Sequence, residues 1–127
     1  MKPAIDSMLL IDGDCGFCLR AAHWARRWIR PSAPLVPWQS VDIAAIGITP
    51  EQCSHAVQWV DEGRVAAQGA AAIACLLLTA PPPWPACAWA MQRPLTRQLA
   101  ERCYRLVAAN RHLLPGASTA CELPAAA

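Results

Sequence analysis

Met8-Leu9-Leu10-Ile11-Asp12-Gly13-Asp14-Cys15-Gly16-Phe17-Cys18 decides how this chain folds. The four apolar residues read as a short, fully buried strand, Asp12-Gly13-Asp14 as the turn that ends it, and the residues from Gly16 as a helix. The two cysteines then fall at a helix N-terminus, where unpaired backbone N–H groups and the helix dipole favour a thiolate over a thiol. A thiolate at Cys15 can attack a disulfide, and a thiol three residues on can resolve the mixed disulfide. The spacing points to dithiol–disulfide exchange, with Cys15 as the nucleophile and Cys18 as the resolving thiol.

The helix that comes next, Gly16 to Arg30, has the clearest periodicity in the chain. At 100° per residue, Cys18, Ala21, Ala22, Trp24, Ala25, Trp28 and Ile29 share one arc, and Arg20, His23, Arg26, Arg27 and Arg30 the other. This predicts a shielded Cys18 in the buried stripe and an exposed Cys15 at its edge, with His23 on the solvated side. Asp12 and Asp14 are candidates for tuning the thiols. Ionised near the sulfurs they raise the Cys15 pKa against the helix-end effect, and either can accept the proton of Cys18.

Further along, Leu35 to Val41 reads as a second strand, and Pro37 within it predicts an edge or irregular position. Thr49-Pro50-Glu51-Gln52 carries the marks of a helix start: Thr as N-cap, Pro at the first helical position and Gln52 completing a capping box. Ala56 to Val60 and Arg64 to Gln68 form a predicted hairpin across Asp61-Glu62-Gly63. Ala70 to Thr79 reads as a buried helix stopped by Pro81-Pro82-Pro83. A short helix around Ala86 to Gln92 comes after it, then an amphipathic one from Thr96 to about Leu113, with Leu99, Cys103, Leu106 and Leu113 on one face. The order is an α/β thioredoxin-like β-α-β-α-β-β-α core over about residues 7–80, with a C-terminal helical extension over about 84–114 and a loose tail, 115–127. One domain accounts for all 127 residues.

Composition narrows the class. The chain is 55% hydrophobic and carries a net charge of +2, too little to argue for nucleic acid. The longest apolar run, Ala70 to Ala80, is about half of a bilayer-spanning helix, and the N-terminus lacks a signal-peptide core. A cytoplasmic protein without a transmembrane segment is the expectation. Seven cysteines with one motif-spaced pair suit reduced thiols plus a redox pair better than a secreted disulfide framework. Cys53, Cys75, Cys87 and Cys103 lie in apolar contexts and are expected to behave as small hydrophobes. Cys121, in the tail, is a candidate for a resolving or intermolecular role. The six tryptophans are expected to fill the core and helix contacts.

Ile11-Asp12-Gly13-Asp14-Cys15-Gly16-Phe17-Cys18 also resembles the opening signature of the bacterial DCC-type proteins, predicted thiol-disulfide oxidoreductases with a thioredoxin-like fold. Gly63-Arg64-Val65 and Gly69-Ala70-Ala71-Ala72 are similar to that family's turn and glycine-to-helix junction, and Tyr104 to Arg111 to its late Tyr-x-x-x-Ala-x-Asn-Arg helix. The resemblance implies an enzyme that needs no cofactor, a disulfide-containing protein or small molecule as substrate, and an external thiol reductant. Tyr104 and Arg111 read first as structural or surface residues and second as candidates for lining the site. Thioredoxins proper carry a cis-proline before the third strand; Gln52-Cys53-Ser54-His55 stands there instead.

Three other readings compete. Cys15 and Cys18 with Cys87, Cys103, Cys121 or a histidine would make a Zn or Fe–S binding module. A thioredoxin-fold interaction domain without turnover is another. A haloacid-dehalogenase phosphatase with Asp12 as nucleophile and Asp14 as acid/base needs a downstream Lys, and the only Lys is Lys2.

Overall fold

The structure is a computed structural model that describes residues 7–110 and residue 113. Strand β1 (Ser7–Ile11) lies between β2 (Leu35–Pro37) and β3 (Gln58–Asp61), and β4 (Arg64–Gln68) closes the order β2-β1-β3-β4. β2 runs parallel to β1, whereas β3 and β4 are antiparallel to their neighbours. Helix α1 (Gly16–Trp24) comes after β1, and α2 (Ile43–Ile46) and α3 (Pro50–His55) link β2 to β3. After β4 come α4 (Gly69–Leu78), α5 (Trp84–Met91) and α6 (Pro94–Asn110). This is the thioredoxin-like topology read from the sequence, with a helical extension.

Alternation along β1 builds a core on each side of the sheet. Leu9 and Ile11 pack with Trp59 against Ala22, Ala25 and Ile29 of the first helical segment and Ala72, Leu76 and Leu77 of α4. Leu10, on the other face, packs with Val60, Ile48 and Cys53. Each face of the central strand is therefore covered, which explains why its four apolar residues show no polar alternation.

Local chemistry sets the element ends. At α3, Gln52 N–H donates to Thr49 Oγ1 (3.2 Å) and Thr49 N–H to Gln52 Oε1 (2.9 Å), the predicted capping box. Glu62 and Gly63 both have positive φ (52° and 76°), the pair of left-handed residues that a two-residue hairpin turn needs. β2 stops at Pro37, shorter than the predicted Leu35–Val41. Trp38–Ser40 form a 3₁₀ turn instead, because proline has no N–H to continue the ladder. α2 was not foreseen; four residues offer no period to read.

Two expectations about burial are overturned. In the first helix, which continues past Trp24 as a π turn, Ala25–Ile29, the buried stripe is only Ala22, Ala25 and Ile29. Trp24 and Trp28 are 52% and 58% exposed. Of the six tryptophans only Trp59 is buried; Trp89 is exposed and Trp84 meets Trp24 edge-on at 6.5 Å between centroids. The apolar face of α6 also points outward. Leu99, Leu106, Leu113 and Cys103 are exposed, and so is Cys87 on α5, so these two cysteines are not core hydrophobes.

The reason lies in α4, whose Gly69 and alanines leave a close approach for polar side chains. Tyr104 turns inward and its hydroxyl accepts from Val57 N–H (2.8 Å), satisfying a backbone donor at the sheet's end. Glu101 fits over Gly69, where an added Cβ would meet its carboxylate at 3.1 Å and Tyr104 Cδ1 at 3.5 Å. Gly69 also has φ +62°. Gly69→Ala is expected to lower stability by about 1–2 kcal/mol from backbone strain, with α6 loosened further by the crowding; urea denaturation of the two proteins checks it.

Burial pushes the Cys53 and Cys75 thiols above the ordinary 9.0, with the Asp12 carboxylate adding to the first and Asp61 to the second. The unfolded chain therefore loses these protons at lower pH than the folded one. The stability they contribute is whole below the unfolded value and falls as pH rises through it toward the folded one. Between about pH 8 and 10.5, a window around the free thiol pKa, the double variant Cys53→Ala, Cys75→Ala is expected to lose stability less steeply than wild type in urea titrations.

Candidate functional site

Ile11 is the last paired residue of β1, and four residues later Cys15 is the N-cap of α1, in extended backbone (φ −90°, ψ 116°). The turn between them is built on Asp12. Its carboxylate Oδ1 accepts from Asp14 N–H (3.1 Å), and its carbonyl accepts from Cys15 N–H (3.3 Å). An Asp side chain bonded to the backbone two residues on is the local turn that Asp-Gly-Asp favours.

A second clamp comes from the neighbouring strand. Gln39 donates its Nε2 to Asp12 Oδ1 (3.0 Å) and takes Gly13 N–H on its Oε1 (3.0 Å). The parallel pairing ends with Ile11 opposite Pro37, which leaves the 3₁₀ turn that carries Gln39 next to the turn that carries Gly13. Gly13 needs to be small here, since a Cβ would lie 2.7 Å from Pro37 Cβ and 2.9 Å from Gln39 Oε1. Asp12 is consequently buried, 5% exposed, while Asp14 is on the surface.

Cys15 and Cys18 come within 3.5 Å of each other on the first turn of α1. Their exposure is the reverse of the expectation. Cys15 is fully buried and Cys18 half-buried. Cys15 is disulfide-bonded. Cys15 is at the N-cap, where the strand and the Asp12 turn enclose it, and helical periodicity does not register that.

Beside Cys18 opens a cavity of about 260 Å³ whose walls are almost wholly apolar. Phe17, Cys18 and Ala21 of α1 form one side, Val57 the end of the sheet, and Tyr104 and Ala108 of α6 the far wall. Asp12 and Cys53 also reach it. Gln58, fully buried, donates to the carbonyls of Gln52 and Ala56 (3.0 Å each) and so ties the end of α3, which carries Cys53, to β3.

The sequence-predicted residues thus divide. Cys15, Cys18, Asp12 and Asp14 meet at one turn, and Tyr104 lines the adjoining cavity while bonding Val57. Arg111 and Cys121 lie outside the described residues. His23 is on the exposed side of α1, as expected. Sequence reasoning missed Gln39 and Cys53 as parts of the site. Gln39 reaches it only because β2 ends beside the turn, and Cys53 carries no local mark that separates it from other buried thiols. Among the described residues no three His, Cys, Asp or Glu side chains converge as a metal shell, and no helix is long and apolar enough to cross a membrane.

No curated protein and no solved structure matches the chain. A family model does, over residues 9–117, from the third residue of β1 to beyond α6: DCC1-like thiol-disulfide oxidoreductase. That span contains both sulfurs, the Asp12 turn, nearly the whole sheet and the cavity, and the chain belongs to the DCC1-like thiol-disulfide oxidoreductase family.

Proposed function

We propose that the chain catalyses thiol–disulfide exchange through Cys15 and Cys18, with Cys15 as nucleophile. The observation that carries this is the 3.5 Å approach of the two cysteines at the first turn of a helix fed by a buried strand. The dipole at a helix N-terminus lowers the cost of a thiolate there.

In the reducing direction, the Cys15 thiolate attacks one sulfur of a substrate disulfide and the other leaves as a thiolate. Cys18 then attacks Cys15 Sγ, the mixed disulfide breaks, and the reduced product departs. Two electrons have passed to the substrate, and a Cys15–Cys18 bridge remains for an external thiol to reduce.

Asp12 is the better candidate of the two acids for taking the Cys18 proton. It is buried, held by two hydrogen bonds and reaches the same cavity as Cys18, whereas Asp14 contributes its backbone N–H and is exposed. The substrate is a disulfide-containing protein or small molecule.

With dithiothreitol as electron source, Cys15→Ser is expected to reduce a disulfide substrate no faster than buffer. Cys18→Ser is expected to accumulate a covalent enzyme–substrate adduct visible by intact-mass measurement. Full turnover by Cys15→Ser would overturn the proposal. Gln39→Leu removes both contacts to the turn; two hydrogen bonds worth about 1 kcal/mol net each correspond to a rate loss of up to about thirtyfold. That loss should appear in steady-state turnover at temperatures where both proteins are fully folded, which separates it from the lower stability that a buried carboxylate with fewer partners brings.

A further inference from the structure

The cavity beside Cys18 bears on which disulfides the site accepts, a question that rests on the exchange reaction proposed for Cys15 and Cys18. Its described walls hold no Lys, Arg or His, and their only carboxyl group is Asp12. Among those described residues an anionic disulfide such as glutathione disulfide finds no counter-charge and meets an acid instead. The volume, about 260 Å³, lies just below the range usual for drug-sized ligands. It suits a slender aliphatic arm better than a bulky cofactor.

We propose that the preferred substrate is an uncharged disulfide borne on an aliphatic arm, of the 1,2-dithiolane type. The arm lies between α1 and α6, against Ala21, Val57 and Ala108, and the sulfur–sulfur bond sits beside Cys18, the cysteine that lines the cavity, with Cys15 3.5 Å from it. Burying methylenes there recruits the hydrophobic effect to hold the reacting sulfurs in place. The Cys15 thiolate opens the ring by attacking one sulfur; Cys18 then attacks Cys15 Sγ and frees the arm as a dithiol. Two electrons move from the cysteine pair to the ring, and the two cysteine protons end on the released dithiol. An external dithiol returns the pair to its reduced form.

The test mixes full-length reduced protein, in single turnover, with lipoamide, with its short-armed analogue tetranorlipoamide, and with the linear pair hydroxyethyl disulfide and glutathione disulfide. The ring is constant in the first pair, so only the arm differs. Lipoamide is expected to react at least about tenfold faster than the short-armed amide, as burial of a few methylenes allows, and glutathione disulfide slower than hydroxyethyl disulfide. Octanamide, an arm without sulfur, should inhibit the lipoamide reaction competitively in wild-type protein. Ala108→Phe, which fills the cavity, should bring the long-to-short rate ratio toward one. Equal rates for the two arms, or no inhibition by octanamide, overturn this inference and leave the exchange reaction standing. Failure of all four disulfides to react overturns the exchange reaction itself.

Discussion

A buried carboxylate at the end of the central strand organises this molecule. Asp12 has almost no solvent to satisfy it, and it receives a backbone N–H from Asp14 and the amide of Gln39 instead. Those bonds fold the chain sharply from strand to helix, and the sharpness brings Cys15 to the N-cap with Cys18 one turn behind. Burying an acid without such partners costs several kcal/mol or shifts its protonation, so the turn and the burial depend on each other. The reacting sulfurs inherit their position from that arrangement.

The sheet supplies the rigidity. β1 is covered on both faces, by α1 and α4 on one and by the α2–α3 segment on the other. Because β2 is parallel to β1, its C-terminal end lies next to the turn, and Gln39 reaches Asp12 and Gly13 together. The helical extension closes the same region from the opposite side. Tyr104 anchors α6 to Val57, and the helix thereby becomes the far wall of the cavity beside Cys18. A segment outside the minimal fold thus shapes what approaches the two cysteines.

Much of this was legible in the linear chain. The strand–turn–helix order around Cys15 and Cys18, the Thr49–Gln52 capping box, the Glu62-Gly63 hairpin and the Gly69 junction all rest on contacts within a few residues. Helix faces were less legible. The outward side of α6 is its more apolar one, because α4 presents glycine and alanine and accepts Glu101 and Tyr104 in their place. Trp24 and Trp28 stayed outside for a related reason: the stripe that meets the sheet is only wide enough for Ala22, Ala25 and Ile29. Which of two plausible faces is buried depends on the shape of the neighbour.

The sequence by itself determined the order of elements, the place of the cysteine pair at a helix start and the family signature, since each is written in residues close along the chain. Tertiary structure alone decided that Gln39 braces Asp12, that Cys15 is the covered sulfur and Cys18 the more open one, and that Cys53, Tyr104 and Ala108 share a cavity with Cys18. These pairings join residues dozens of positions apart through strand register and helix packing, and no local pattern encodes either.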